Sequence, residues 1–155
     1  MPERVANNAV TYGSNDIYDY VYSFGGIDSR KIHSGVNNRA FRYNIGTNSW
    51  EEIGPLPFFM TNIASGASNV KNRIYIIGGY HVSPGGSEVS SNEVIRYNLE
   101  TNTYLSNRAI IPTPIDDHVQ CVWRDSLIYV TGWSNTGNVP NLQIYDAELD
   151  IWLTE

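Results

Sequence analysis

The feature that most constrains this chain is a threefold internal repeat of about fifty residues. The segments Val21–Gly26, Ile74–Gly79 and Ile128–Trp133 each contain an apolar residue, a tyrosine, two further residues and then a glycine. Their first glycines follow one another at intervals of 53 and 54 residues. A repeat of this period predicts similar structural units that stack on one another, because a single unit cannot bury its apolar faces alone.

A second signal follows each glycine segment. It is a pair of aromatic residues seven positions apart: Tyr43 with Trp50, Tyr97 with Tyr104, and Tyr145 with Trp152. Between the partners stand two amide or acid residues four positions apart: Asn44 and Asn48, Asn98 and Asn102, and Asp146 and Asp150. Asn and Asp bond to nearby backbone and tolerate left-handed φ angles, so they are typical of residues that close hairpin turns.

Each repeat is predicted to contain four short strands, which we call a, b, c and d. Strand a carries Ala9, Ala67 or Cys121, and strand b is the glycine segment, whose apolar run is typical of a strand covered on both faces. Strand c ends at the tyrosine and strand d begins at the following aromatic residue. Proline-rich stretches then break the chain. The predicted units are residues 1–57, 58–114 and 115–155.

The double glycine, the tyrosine and the later tryptophan resemble the kelch repeat, each copy of which forms one blade of a β-propeller. The resemblance implies an all-β, kelch-type propeller with three four-stranded antiparallel blades. This chain departs from the pattern at Trp133, which replaces a second glycine, and at Tyr104, which replaces a tryptophan. We predict that Trp133 alters the connection after strand b, because glycine permits a kink there that a side chain blocks. The first repeat also carries an insertion, residues 13–19, between strands a and b.

Kelch propellers generally close as rings of six or seven blades, whereas three open blades would expose two apolar faces. Two arrangements remain open: the other blades belong to a longer chain, or two copies close head to tail into a six-bladed ring. We take homodimeric closure as the working hypothesis. The repeat begins close to residue 1, which is typical of a fragment of a larger protein.

Net charge and cysteine count exclude several classes of partner and of structural site. The net charge of −6 repels nucleic acid and anionic membrane, so we expect neither as a partner. Cys121 is the single cysteine, which excludes an intrachain disulfide and a cysteine-rich zinc site, and we predict it to be a small core residue. One free cysteine is compatible with the cytosol, the periplasm or the outside, so the compartment is left open.

The b–c and d–a connections of such a blade lie on one face of the ring, which we call the loop face. Long loops on a rigid scaffold often carry function. The long b–c loops are residues 27–38 and 80–91, and the third, residues 134–140, is shorter. Their candidate ligand-binding side chains are Asp28, Arg30, Lys31, His33, Asn37 and Asn38 in the first loop, and Tyr80, His81 and Glu88 in the second.

Counting five residues back from strand a gives Arg4, Asn62 and Asp116, which are expected to converge at the mouth of the central channel. Asp117 and His118 follow directly. These polar residues would bind a carbohydrate or a carboxylate, or they would simply line a water-filled channel. Of this acidic run only Asp116 and His118 can share an ion, since alternate residues of a strand share a face. We predict no metal and no cofactor.

Three functions are compatible with these features. The first is a non-catalytic binding scaffold whose loop face recognises a protein or a glycan. The second is a carbohydrate-directed enzyme, such as a sialic acid-type mutarotase or a galactose-oxidase-like propeller, with this chain as half of the ring. The third is a structural segment that only completes a ring. No Ser-His-Asp or Cys-His pairing is evident, so no catalytic residue is assigned.

Two observations would discriminate between binding and catalysis. Clustered arginine and glutamate with perturbed pKa values, from Arg4, Arg30 and Glu88, would favour the enzyme. An aromatic platform would favour ligand or partner binding. Its members would be Phe58, Phe59, Tyr80 and Trp133.

Overall fold

The computed structural model describes residues 1–57, 63–105 and 109–153, and their regular structure is almost entirely β-strand. Three antiparallel sheets, each built on a path of four strands, follow one another along this part of the chain. A single turn of 3-10 helix, His33–Gly35, is the one helical element within the same residues. Accordingly, none of the described segments forms a helix long and apolar enough to cross a membrane.

Sheet 1 is a meander of neighbouring hairpins in the order β1-β2-β3-β4. Its strands are β1 (Ala9–Ser14), β2 (Asp19–Phe24), β3 (Ala40–Asn44) and β4 (Ser49–Glu52). The insertion predicted in the first repeat lengthens the β1–β2 hairpin, in which Ser14 pairs with Asp19. The side-chain oxygen of Asn15 closes the turn by accepting hydrogen bonds from the backbone amides of Ile17 and Tyr18, at 3.0 and 2.9 Å.

Sheet 2 repeats this arrangement with an additional hairpin between its second and third strands. Its strands are β5 (Gly66–Val70), β6 (Arg73–Ile77), β9 (Val94–Asn98) and β10 (Thr103–Leu105). The second long b–c loop is not irregular, because it folds into a separate two-stranded hairpin. That hairpin consists of β7 (Tyr80–Val82) and β8 (Glu88–Ser90).

Sheet 3 departs from the other two after its second strand. Its strands are β11 (Asp116–Trp123), β12 (Leu127–Ser134), β14 (Gln143–Asp146) and β15 (Ile151–Leu153), and β13 (Gly137–Asn138) pairs with β12. In sheets 1 and 2 the two glycines that end strand b have positive φ angles, 61° and 103°, then 61° and 95°. In sheet 3, β12 instead continues through Gly132 and Trp133. The altered connection predicted from Trp133 is therefore confirmed.

The aromatic pairs face each other across the c–d hairpins, as the spacing predicts. Tyr43 pairs with Trp50, Tyr97 with Tyr104 and Tyr145 with Trp152, and their ring centroids lie 5.2, 5.1 and 5.2 Å apart. In each turn the second amide or acid residue has a φ angle between 54° and 59° and accepts a hydrogen bond from the tyrosine hydroxyl. Local polar contacts thus hold the large aromatic side chains in register.

Each sheet has two faces, which we name by the residues of strand b. The leading face carries Tyr22, Tyr75 or Tyr129, and the trailing face carries Val21, Ile74 or Ile128. The leading face of sheet 1 packs against the trailing face of sheet 2, and the leading face of sheet 2 packs against the trailing face of sheet 3. The trailing face of sheet 1 and the leading face of sheet 3 have no sheet over them among the described residues.

Two details of the strand assignment are corrected by the structure. Cys121 is exposed rather than part of the core, because it lies on the uncovered leading face of sheet 3. The equivalence of Ala9, Ala67 and Cys121 is also wrong. The pairings of strand a with strand b are Ala9 with Phe24, Gly66 with Ile77 and Val119 with Thr131. Cys121 pairs with Tyr129, the counterpart of Tyr22, so it matches Thr11 rather than Ala9. A register shift between Asp116 and Val119 in β11 adds to this offset, so Arg4 and Asp116 are not at equivalent positions.

Candidate functional site

The three b–c connections form one continuous surface rather than three separate loops. His33 in the first connection has its ring Nδ1 2.6 Å from the backbone carbonyl of Val82 in the second. The backbone amide of Ser90, at the end of the second, donates to the side-chain oxygen of Asn135 in the third, at 2.6 Å. Each neighbouring pair of connections is therefore joined by a hydrogen bond.

An apolar cluster supports this surface from below. Ile27, Ile63 and Val82 are buried together, with Val36, Ala64 and Tyr80 packed against them. Isolated backbone bridges from Ala6 to Ile27 and from Ile63 to Tyr80 join the chain that precedes strand a to the b–c connections. Because these contacts fix the backbone, the polar side chains above them are held on a preformed base.

A polar pocket of about 330 Å³ opens beside the first b–c connection. We call it the arginine pocket, and its charged and amide side chains include Glu3, Arg4, Asp28, Arg30, Asn37 and Arg39. Gly35 forms part of its wall, and a Cβ atom there would lie 2.3 Å from Asp28 Oδ1. A side chain at this position would therefore overlap the Asp28 carboxylate and displace it.

Two of the three arginines in this pocket are neutralised by carboxylates. Arg30 donates to Asp28 at 2.8 Å and to the Ser34 carbonyl at 2.9 Å. Hydrogen bonding to Arg30 lowers the pKa of the Asp28 carboxyl below its usual value. Arg39 pairs with Glu3 and with Glu52. Arg4 is exposed and has no described carboxylate within ion-pairing distance, so its guanidinium is available to an anionic group.

A second group of polar side chains lies where sheets 2 and 3 meet the loop face. We call it the acidic cluster, and it comprises Tyr80, Glu88, Ser90, Asp116 and Asp117. The Ser90 hydroxyl donates to Asp116, which is buried. Burial raises the pKa of Asp116, and the charges of Asp117 and Glu88 raise it further. Burial also raises the pKa of the Tyr80 hydroxyl, with smaller contributions from the three carboxylates. These groups therefore lie within electrostatic reach of one another.

His118 lies behind this cluster, between the first strands of sheets 2 and 3. Burial lowers the pKa of its imidazole. Its Nε2 atom is 3.1 Å from Gln120 Oε1, while Gln120 Nε2 donates to Ser68 at 2.9 Å. The amide orientation makes Nε2 the protonated nitrogen of the neutral ring. Nδ1 is then an acceptor, and it is buried without a hydrogen-bond partner in the described structure.

The structure groups some of the predicted site residues and separates others. Arg4 and Arg30 share the arginine pocket, whereas Glu88 is not part of its lining and instead acts on Tyr80 and Asp116. Trp133 pairs with Asp116 across the strands and is 43% exposed. His81 is half-buried in β7 opposite Val89. The predicted residues Asn62, Phe58 and Phe59 lie outside the described residues.

The arrangement fits neither discriminating pattern in full. The arginines and Glu88 do not share one site, although the enzyme pattern requires it. Tyr80, a predicted member of the aromatic platform, lies near carboxylates, whereas the binding pattern requires a platform without facing titratable groups. Within residues 1–57, 63–105 and 109–153, no group of three or more His, Cys, Asp or Glu side chains is placed to hold a metal ion. What the surface offers is an anion-accepting guanidinium at one end and a group of carboxylates at the other.

Sequence reasoning did not single out several residues of this surface. Glu3 and Arg39 line the arginine pocket, and Ser90 and Asn135 connect the second and third connections. Asn135 lies in a loop that was already selected by its place after strand b, and Glu3 precedes Arg4. Their side-chain contacts join residues up to 45 positions apart, and no local pattern reports such contacts.

Three sheets of four antiparallel strands, stacked face to face and generated by one repeated motif, define an all-β repeat protein. The sequence profile of the Kelch motif matches residues 13–57 and 64–105, which is more than half of the chain. The chain belongs to the kelch family.

Similar proteins extend this result. Kelch domain-containing protein 10 of Rattus norvegicus and its human counterpart are each 29% identical to this chain over 117 residues. That stretch is 72% of this chain but only 27% and 25% of those proteins, so the chain spans about a quarter of their length. A solved structure titled "Structure of YjhT" has a TM-score of 0.77 at 16% identity and covers 99% of this chain and 52% of its own. That likeness supports the fold.

Proposed function

We propose that this chain is a kelch-repeat binding scaffold that recognises a protein or a glycan through its loop face. The observation that supports this most directly is the pair of hydrogen bonds that join the three b–c connections, from His33 to Val82 and from Ser90 to Asn135. A surface that is fixed before a ligand arrives loses less conformational entropy on binding. The kelch family membership of the chain supports the same function.

The charge distribution supports a ligand with both polar and ionic groups. Arg4 offers a guanidinium that has no ion-pair partner among the described residues, and Glu88 offers an exposed carboxylate in the acidic cluster. A peptide with side chains of both signs, or an acidic glycan with free hydroxyls, matches these two regions. The net charge of −6 argues against nucleic acid and anionic membrane as the partner.

Each of the three sheets is proposed to be one propeller blade. On this proposal the blades are residues 1–57, 58–114 and 115–155, with strand a innermost and the loop face at one rim of the ring. The four-strand path of every sheet and the likeness to one half of the structure titled "Structure of YjhT" support the assignment.

Selection experiments with defined libraries test this function. The wild-type protein is used to select binders from a displayed peptide library and from a glycan array. Each selected ligand is then measured against Arg4→Glu and Glu88→Lys. We expect at least a tenfold loss of affinity in one or both variants, since a reversed charge opposes the ligand at a few ångströms.

Glu100→Lys is the matched control. Glu100 is exposed like Glu88, but it lies in the c–d turn, at the opposite end of strand c from the loop face. This variant is expected to bind like the wild type. Ligands that bind all three variants equally would show that the loop face is not the binding surface, and an absence of ligands from both libraries would contradict the scaffold.

A carbohydrate-directed enzyme is the second candidate, and one observation favours it. Asp116 is a buried carboxyl whose pKa is raised and which accepts a hydrogen bond from Ser90, as in many sites that transfer protons. The test is to follow the anomers of a free sialic acid and of galactose by NMR with and without protein. Conversion that Asp116→Asn abolishes would establish the enzyme, and an unchanged uncatalysed rate would exclude it for these sugars.

A further inference from the structure

The open faces of this molecule are related by its internal repeat. The leading faces of sheets 1 and 2 are each covered by the next sheet, whereas the leading face of sheet 3 is open among the described residues. The trailing faces of sheets 2 and 3 are each covered by the preceding sheet, whereas the trailing face of sheet 1 is open in the same part of the chain. We propose that the leading face of sheet 3 docks on the trailing face of sheet 1 of a second copy. Two such contacts would close a ring of six sheets.

The exposed side chains of these two faces are predominantly apolar. On the leading face of sheet 3, Val119 is 72% and Trp123 48% exposed. Together with Tyr129 and Cys121, Trp123 also lines an open apolar groove of about 380 Å³. On the trailing face of sheet 1, Val10 is 51% exposed. Soluble proteins seldom leave two such faces uncovered, so both require a partner surface.

The internal interfaces show which surface each face accepts. Tyr75 on the leading face of sheet 2 is buried against Tyr145 of sheet 3, with ring centroids 5.6 Å apart, and donates to the Ala147 carbonyl at 3.2 Å. Tyr129 is the equivalent of Tyr75 by register, and Tyr43 of sheet 1 is the equivalent of Tyr145. A second copy therefore presents to Tyr129 the same kind of tyrosine and turn that sheet 3 presents to Tyr75.

The facing residues of strand a in adjacent sheets also match one another in size. Ala9 on a leading face is buried in one cluster with Ala67 on the facing trailing face. A Cβ atom on Gly66 would lie 2.8 Å from the side-chain carbonyl carbon of Gln120, so the absence of a side chain at Gly66 makes room for a large one opposite. By the same register Val119 would face Val10 of the second copy, which pairs two residues of intermediate size.

The length of the related fold supports two copies. The chain aligns over 99% of its length with 52% of the structure titled "Structure of YjhT", so two copies together span that fold about once. Because the two docking faces differ, the contact is heterologous, and it closes only if the rotation between the copies completes the ring. The proposal concerns the end faces and does not depend on what the loop face binds.

The experiment measures solution mass by light scattering over a dilution series of the wild type, Val10→Glu and Val119→Glu. Both valines are more than half exposed, so neither change disturbs the folded chain. The wild type is expected at twice the 17.4 kDa chain mass. Each variant alone is expected at the single-chain mass, because both contacts of its ring would carry the buried glutamate.

Mixing the two variants gives a sharper result. A mixed pair retains one unaltered contact, between the leading face of Val10→Glu and the trailing face of Val119→Glu. The mass should therefore return to that of two chains, although with weaker affinity. Ile17→Glu is the control, since Ile17 is 74% exposed in the β1–β2 turn, away from both faces. It is expected to keep the wild-type mass.

Cys121 provides an independent readout. Its thiol is exposed on the leading face of sheet 3, so docking should slow its reaction with a water-soluble disulfide reagent by at least tenfold relative to Val10→Glu. The proposal is overturned by a folded wild-type monomer, by growth beyond two chains, or by insoluble aggregation. It is equally overturned if either valine variant alone keeps the doubled mass, if the mixture stays monomeric, or if Cys121 reacts equally fast in both proteins.

Discussion

The covered and the open faces of this chain are built from the same sequence pattern but lie in different surroundings. Tyr22 and Tyr75 are 0% and 1% exposed, whereas the equivalent Tyr129 is partly exposed. In the c–d turns, Leu99 is 1% exposed and the equivalent Ile45 is 50% exposed. The repeat thus determines the shape of each sheet, and the neighbour determines how much a signature residue contributes to stability.

The largest difference is expected between Tyr75→Ala and Tyr129→Ala. Tyr75→Ala removes a fully buried ring and its hydrogen bond to the Ala147 carbonyl, so it should lower the free energy of unfolding by about 3–5 kcal/mol. Tyr129→Ala, made in the Val10→Glu background, should cost about 1 kcal/mol or less. Urea denaturation measures both, and equal losses would show that the open face is as well packed as the covered one.

Gly78→Ala tests how closely sheets 2 and 3 approach each other. Gly78 has a φ angle of 61°, and a Cβ atom there would lie 2.3 Å from the Ile115 carbonyl oxygen. The substitution should cost about 2–3 kcal/mol from strain and displaced backbone. Gly85→Ala is the control, because its nearest neighbour would be 3.8 Å away, and its midpoint in urea should hardly change. Similar midpoints for both variants would contradict this explanation of the glycine motif.

Asn102→Gly and Asn48→Gly compare one turn beside a covered interface with one at an open face. Glycine keeps the left-handed φ angle of 54° that both turns require, so only the side-chain contacts are lost. Asn102 accepts from Tyr97 and, across the interface, from Arg42 at 2.6 Å. Asn48 accepts from Tyr43 of its own hairpin. We expect a loss of about 1–2 kcal/mol for Asn102→Gly and about half of that for Asn48→Gly, by thermal denaturation. A larger loss at Asn48 would count against the comparison.

The smallest effect concerns pH and His118, which lies within the covered interface. Burial lowers its pKa below 6.5, so the unfolded chain takes up this proton before the folded chain does. Its contribution to stability is therefore lost as the pH falls below about 6.5. His118→Gln should make the melting temperature fall less between pH 7 and pH 5. Asp116, with a raised pKa, acts in the opposite direction in both proteins. Parallel pH profiles would show that His118 titrates normally.

Most of the fold could be predicted from the sequence because its signals are local. The aromatic spacing, the turn residues and the double glycines each report on a few neighbouring residues, and the structure places all of them in the expected strands and turns. Trp133 was informative for the same reason, since a side chain at a glycine position changes the backbone there. Cys121 was assigned to the core wrongly, because its burial depends on a surface that the described residues do not place over it.

The candidate site was less predictable because its contacts are not local. Counting along the chain placed Arg4 and Asp116 at equivalent positions, but strand pairing matches Cys121 with Thr11 rather than Ala9, and the register shift in β11 adds to this offset. The hydrogen bond between His33 and Val82 joins residues 49 positions apart, and the pairing of Arg39 with Glu3 depends on how the N-terminal segment folds back. Charge and loop length selected the rim of the sheets at which these candidate side chains lie, but they did not indicate which side chains meet.

The lengthened β1–β2 hairpin has a practical consequence. Its turn is closed by hydrogen bonds to Asn15, and Ile17 at its tip is 74% exposed, while the same connection in sheet 2 is shorter. Sheet 1 of this chain therefore already accommodates added residues at the end that lies opposite the b–c connections. A reporter peptide or a fluorophore attachment sequence inserted at residues 16–17 would leave the loop face and both end faces free, which makes this hairpin the natural handle for single-molecule and display experiments.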